Sequence, residues 1–161
     1  MLPDDDVGAP RPTRTSALRL LSGLFRKADA AYAAHSCPGT AECCRLAMTR
    51  REPWLWPPEW WALEEALGQQ QRPLPSPRED GACPFLDPGG TRCTVYASRP
   101  LGCRTFFCEK RVGPAREPLE EVDALLRQVE DLSLRVDAAQ AGPRPLREWH
   151  EAATRTIRSR R

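Results

Sequence analysis

Seven cysteines fall between residues 37 and 108 of a 161-residue chain, and three of them crowd into one stretch, CPGTAECCR, from Cys37 to Arg45. No other feature constrains the fold as much. The set is Cys37, Cys43, Cys44, Cys83, Cys93, Cys103 and Cys108. Such thiols can be buried filler, a disulfide framework or ligands for a metal. One or two fit as small buried hydrophobes, but burial alone gives no reason to gather the whole set in turn-rich segments. The odd count leaves one thiol over from full pairing. The N-terminal MLPDDDVGAPRP has no basic stretch, apolar run or cleavage site of a secretory signal. No apolar run approaches the ~18 residues of a membrane span. The expectation is a protein of the reducing cytoplasm with no membrane association. There, clustered thiols read as metal-binding or catalytic.

The charge is nearly balanced, +2 at pH 7, which gives no whole-chain attraction to nucleic acid or anionic membrane. The basic residues are almost all Arg, with Lys27 and Lys110 the exceptions. Arg suits phosphate or carboxylate recognition, but a GC-rich coding bias explains it more simply.

Breakers and periodicity organise the chain as helices around a loop-rich centre. Residues 1–14 are Pro- and Asp-rich and predict a mobile tail. A helix is expected from Thr15, capped by Thr15 or Ser16, with Leu18, Leu21, Phe25, Ala28 and Tyr32 on one face. It must stop before Cys37-Pro38. Pro57-Pro58 and Glu59 suit the first turn of a second helix to Leu67, with Gly68 as its stop. Trp54, Trp56, Trp60 and Trp61 form an aromatic cluster. It reads as a lid on the core, because no basic stripe is interleaved to make it a nucleic-acid platform. Residues 72–80 form a Pro-rich linker. Cys83–Leu86 and Cys93–Tyr96, separated by DPGGTR, predict a small β-hairpin. SRPLGCRTFFC reads as a turn with room for one helical turn. Leu119, Val122, Leu126, Val129 and Val136 predict a helix to about Ala139. It offers a short heptad-like seam for dimerisation, or more simply a face packed on the domain. A last helix is expected over residues 145–157. The fold class is therefore mainly α with a small β-hairpin, a cysteine cluster flanked by helices and stabilised by metal. Residues 15–161 make one domain, with a metal-binding core over 35–110 and C-terminal helices over 117–159.

Thiolates that converge from different loops hold soft or borderline cations such as zinc or iron. The spacing lacks the paired CxxC knuckles of a zinc ribbon. The elements Cys37-x5-Cys43-Cys44-Arg45, Cys83-Pro-Phe-Leu, Cys93-Thr-Val-Tyr and Arg99-Pro100-x2-Cys103-Arg104 together resemble the YkgJ-type cysteine-cluster family. Its members are described as zinc- or iron-chelating domains with a CxxCxxCC signature. The resemblance covers about residues 37–108. It implies that the cysteines of the motif serve as metal ligands; Cys108 lies beyond the usual end of the pattern, and the ligand set expected here is all seven. Thr40 stands where the second cysteine of the signature belongs, and Cys108 is expected to restore the lost thiolate.

Four cysteines around one zinc ion are the simplest arrangement. Seven thiols exceed one tetrahedral shell, so a second site or an iron–sulfur cluster is the alternative. His35 is placed to add a donor, though a helix-end His is more often a solvated cap; His150 reads as surface. Arg99 and Arg104 either offset thiolate charge or bind carbonyls of the hairpin. The functional reading is a structural metal-binding protein. The alternatives are an iron–sulfur enzyme, as implied by related cysteine patterns in flagellin lysine methylases, and a thiol redox or metal-delivery protein. No Gly-rich cofactor loop favours the first alternative, and no CxxC favours the second.

Overall fold

The computed structural model describes residues 10–106, 111–140 and 142–160, and among them six α-helices and one two-stranded sheet. Most of the tail expected over 1–14 lies outside the described residues, as does Cys108. No described helix is long and apolar enough to cross a membrane.

Helix α1 (Arg14–Ala31) begins one residue earlier than the periodicity suggests. Thr13 is the cap, its hydroxyl oxygen accepting the Ser16 N–H at 3.2 Å. Thr15 and Ser16 already lie inside the helix. Ala17, Leu21, Leu24, Phe25 and Ala28 make the buried stripe, and Leu18 sits only at its edge. This stripe meets Leu125, Val129 and Leu132 of α5 (Leu119–Val136) and Leu101 of the short α4 (Leu101–Arg104). Of the face expected on α5 only Val129 is buried; Leu119 and Leu126 are exposed, and Leu125 and Leu132, one helical step round, make the packing instead. A 3-10 turn at Ala138–Gln140 follows the helix.

Helix α3 (Pro57–Gln69) is apolar on several sides and forms the wall between two cores. Ala62 packs toward the α1–α5 layer, and Trp61 touches both cores. Trp60, Leu63, Ala66 and Leu67 pack the other way, against Leu46, Leu55, Cys83, Phe85, Val95, Leu146 and Trp149. Gly68 does not stop the helix; Gln71, in a left-handed conformation, turns the chain just beyond it. Of the tryptophans, Trp60 is buried, Trp56 and Trp61 are half-buried and Trp54 is 59 % exposed. The lid is closed by Trp149 of α6 (Leu146–Ser159), stacked on Trp60 with centroids 6.0 Å apart.

Two expectations change. His150 is not a surface residue: it is 2 % exposed, packs edge-on to Phe85 and places Nε2 2.7 Å from the Pro75 carbonyl. That contact fastens the Pro-rich linker to α6. The regular sheet pairs β1 (Trp54–Leu55) with β2 (Arg144–Pro145), antiparallel. At 83–96 the chain reverses as predicted, with the Asp87 N–H on the Arg92 carbonyl at 2.9 Å and the Thr94 N–H on Phe85 at 2.8 Å. Ladder pairing there shrinks to one bridge, Leu86 with Cys93. Pro84 has no N–H to extend one arm, and a 3-10 turn at Tyr96–Ser98 diverts the other.

A second isolated bridge joins Ser36 to Val112, with N–H···O distances of 2.7 and 3.0 Å. It lays the segment after Cys108 beside the residue that precedes Cys37. Gly113 makes this approach possible. Its φ is +144°, and an added Cβ would stand 2.6 Å from the Ala34 carbonyl oxygen. Gly113→Ala is expected to cost about 1–3 kcal/mol. Gly142→Ala, whose methyl group meets nothing within 4 Å, is expected to stay within about 0.5 kcal/mol of the parent. Urea unfolding of the two variants checks the difference.

Candidate metal centre

The cysteines reach their places on loops and single helical turns, not on the long helices. Cys43 and Cys44 sit in a 3-10 turn at Glu42–Cys44, entered through Ala41 in a left-handed conformation. The Cys44 carbonyl accepts the Cys83 N–H at 2.7 Å, which docks the second cysteine segment on the first. Cys93 follows the DPGGTR reversal, whose Asp87 carboxylate accepts the N–H groups of Thr91 and Arg92 at 2.7 and 2.9 Å. Cys103 rides on α4.

These segments leave a cavity of about 330 Å³ between them, and all six described cysteines line it. None of the six is in a disulfide. Cys83 is buried, Cys44, Cys93 and Cys103 are half-buried, and Cys37 and Cys43 are exposed. Thr40 is exposed and does not line the cavity. Cys108 lies outside the described residues, but Phe106 on one side of it lines the cavity and Val112 on the other pairs with Ser36. His35 packs against Tyr32, with ring centroids 5.2 Å apart.

Charge and burial sort the thiols. Hydrogen bonding from the Cys44 thiol lowers Cys43 to about 6, helped by backbone N–H groups and the Arg99 charge. The same bond, with burial, holds the proton firmly on Cys44. Burial pushes Cys83 up to about 12 against the N–H groups of Phe85 and Leu86. Burial also raises Cys93, and takes Cys103 well above the usual thiol range. The two arginines divide the roles foreseen for them. Arg99 favours the charged forms of Cys43 and Cys93. Arg104 binds carbonyls: Nε donates to Arg99 at 2.9 Å, and Nη2 donates to Ala97. Its Nη1 lies 2.9 and 2.7 Å from the Asp29 oxygens, and its guanidinium covers the Phe25 ring.

Two of these positions escaped sequence reasoning. Asp29 gave no signal, because its partner lies far along the chain. Glu59 gave one: as third residue of α3 it stands at the position of a capping-box carboxylate. Its Oε2 accepts the Trp56 N–H at 2.9 Å, and its Oε1 accepts the Leu101 N–H at 2.7 Å.

Among the described residues, no group of three or more His, Cys, Asp or Glu side chains stands ready-arranged around a metal ion. The donor set nevertheless fits zinc or iron chemically. The sulfurs share one cavity, and backbone N–H groups reach several of them, as Gly39 reaches Cys37 at 3.4 Å. A family described as "Putative zinc- or iron-chelating domain", with the signature CxxCxxCC, matches residues 36–122, just over half of the chain. The chain belongs to the CxxCxxCC family. The match runs past the 37–108 stretch legible as motif and takes in the Val112 bridge and the first turn of α5. No curated protein and no solved structure matches the chain. Membership in the CxxCxxCC family supports metal binding and leaves zinc and iron as the two ions.

Glu59 supplies a test of how the centre is held. Glu59→Ala leaves two buried N–H groups unpaired and is expected to cost about 3 kcal/mol in urea unfolding. Burial raises the Glu59 carboxyl from 4.5 to about 7. The folded state therefore binds this proton more tightly than the unfolded state. Stability from this group is full below pH 4.5 and falls as pH rises toward 7, by up to about 3 kcal/mol. The difference in unfolding free energy between wild type and Glu59→Gln, measured across that window, should carry this slope.

Proposed function

We propose that the chain is a thiolate metal-binding protein whose ion organises the cysteine-bearing half of the fold. The observation that carries this is the convergence of six cysteines from separate turns on one cavity. Zinc held by cysteines is the simplest occupant, and an iron–sulfur cluster is the alternative with the same ligand chemistry. The candidate ligands are Cys37, Cys43, Cys44, Cys83, Cys93, Cys103 and Cys108. The role is structural rather than catalytic. Glu59, the buried carboxylate at the cavity wall, has both oxygens engaged by backbone N–H groups, which ties it to the starts of two helices.

Metal content and the visible spectrum of anaerobically purified protein test the reading. Colourless protein with zinc supports the structural site. Brown protein with iron and sulfide supports the cluster and reopens the enzymatic alternative. Protein that is metal-free yet fully folded overturns the proposal. Each ligating thiol must lose its proton, and burial holds the protons on Cys83, Cys93 and Cys103. Affinity is therefore expected to fall as pH falls, read as easier removal by a chelator at pH 6 than at pH 8.

We further assign to Cys108 the place that Thr40 leaves empty in the signature. The support is its setting, between Phe106 at the cavity and Val112 at Ser36. Cys108→Ser is expected to lower metal stoichiometry or affinity. Unchanged values for both would remove Cys108 from the ligand set.

A further inference from the structure

Away from the cysteines, α1 and α5 leave a groove of about 800 Å³ between them. On α1 it is lined by Arg19, Leu20, Gly23, Arg26 and Lys27, which recur at i, i+1, i+4, i+7 and i+8 and so form one stripe. On α5 the wall includes Leu134 and Arg135. Leu20 and Leu134 are each 48 % exposed. The groove thus sets four cations around apolar side chains, against one carboxylate, Asp131. Elsewhere Arg14, Arg78, Arg104, Arg111 and Arg147 each pair with a carboxylate. In the groove, Arg26 donates to the Ser22 hydroxyl at 3.0 Å and Lys27 to the Gln128 amide oxygen at 3.4 Å. Among the described residues, none of the four cations has a carboxylate at ion-pair distance.

Gly23 stands in the middle of the stripe. A glycine inside a helix destabilises it relative to alanine. A Cβ there meets nothing nearer than Arg26 Nη2 at 3.8 Å, so packing within the chain does not demand the glycine. Its missing side chain leaves the groove open between Arg19 and the Arg26–Lys27 pair. We infer that this groove docks an acidic amphipathic helix of a partner protein. Cations around apolar side chains are matched by carboxylates around an apolar stripe. Arg19 to Lys27 spans about 12 Å of α1, the footprint of about two turns of a bound helix. Leucines of that helix cover Leu20 and Leu134, its glutamates meet Arg19, Arg26, Lys27 and Arg135, and its backbone passes close over Gly23. A phosphate backbone offers Asp131 only repulsion, so a peptide rather than a nucleic acid is the fit. The buried core beneath contains no cysteine, so docking does not rest on the metal-binding reading.

The probe is a stapled, fluorescein-labelled helix of about three turns, with leucine on one face and glutamate along its edges. It is titrated with full-length protein and read by fluorescence anisotropy. Wild type is expected to bind it, and less tightly as salt is raised. Arg26→Glu/Lys27→Glu should weaken binding by about tenfold or more. Gly23→Leu, checked for intact helix by circular dichroism, should weaken it likewise. The same helix with lysine for every glutamate is expected to pass over wild type and to bind the double variant, which separates charge from misfolding. Wild type that ignores the acidic helix overturns the inference, as does a double variant or Gly23→Leu that binds it unchanged. A single-stranded DNA oligonucleotide that binds as tightly as the peptide makes the groove a general anion surface and also overturns it. Light scattering that finds a wild-type dimer and a monomeric double variant gives the groove to a second copy of the chain, with the same result.

Discussion

Glu59 is 1 % exposed and accepts the amide hydrogens of Trp56 and Leu101, so one carboxylate begins two helices. Burying it is costly, and the raised carboxyl pKa registers that cost. The two N–H donors and the Arg104 charge nearby oppose it. What the arrangement gains is position. Helix α3 is the wall between the two cores, and α4 carries Cys103. Fixing the start of one on the start of the other sets where the inner rim of the cavity lies.

Arg104 makes the complementary connection. It reaches outward to Asp29 and Phe25 on α1 and inward to the carbonyls of Ala97 and Arg99. The 3-10 turn ahead of α4 has too few internal hydrogen bonds to hold its own shape, and the guanidinium supplies the missing donors. Lys could not replace it, because a single ammonium cannot span a carboxylate, two carbonyls and a ring face. Arg99, left nearer solvent, stacks on Tyr96 and keeps its positive charge toward the thiols. Both arginines reach Asp29, Arg99 at 3.8 Å, but it is Arg99 that also offsets the charge of the thiols.

Periodicity made the helices legible. The face of α1 followed from spacing, because it buries a stripe against another helix; on α5 the spacing gave the helix but not its face, since Leu119 and Leu126 are exposed and Leu125 and Leu132 pack instead. Ends were less so. Thr13 caps α1 rather than Thr15 or Ser16, since any of three hydroxyls within four residues satisfies the same pattern. His150 looked like surface because its helix is rich in charge, and nothing in the sequence tells that a Pro-rich linker passes over it. The reversal at DPGGTR was legible from its turn residues, but the shortness of the ladder depended on Pro84 and on a turn beyond Tyr96. Motif spacing marked the cysteines as a set. It did not separate exposed Cys37 and Cys43 from the inner four, since burial depends on what packs behind each loop.

That separation follows the division of the packing. The buried α1–α5 core is made of side chains on helices α1, α4 and α5, and it includes no cysteine. The other core takes Cys83 as a member and leans on Cys44 and Cys93. Its loops are long and have little regular hydrogen bonding, so ordering them costs entropy that local contacts only partly offset. An ion bound by thiols from several of these loops would act as a cross-link, closing them as a disulfide would and stabilising the half of the molecule least able to stabilise itself. Cysteine suits both tasks. It packs as a small hydrophobe against Phe85 and Leu46 and offers a sulfur to the cavity, so the same residues that complete the core supply the means of fixing it.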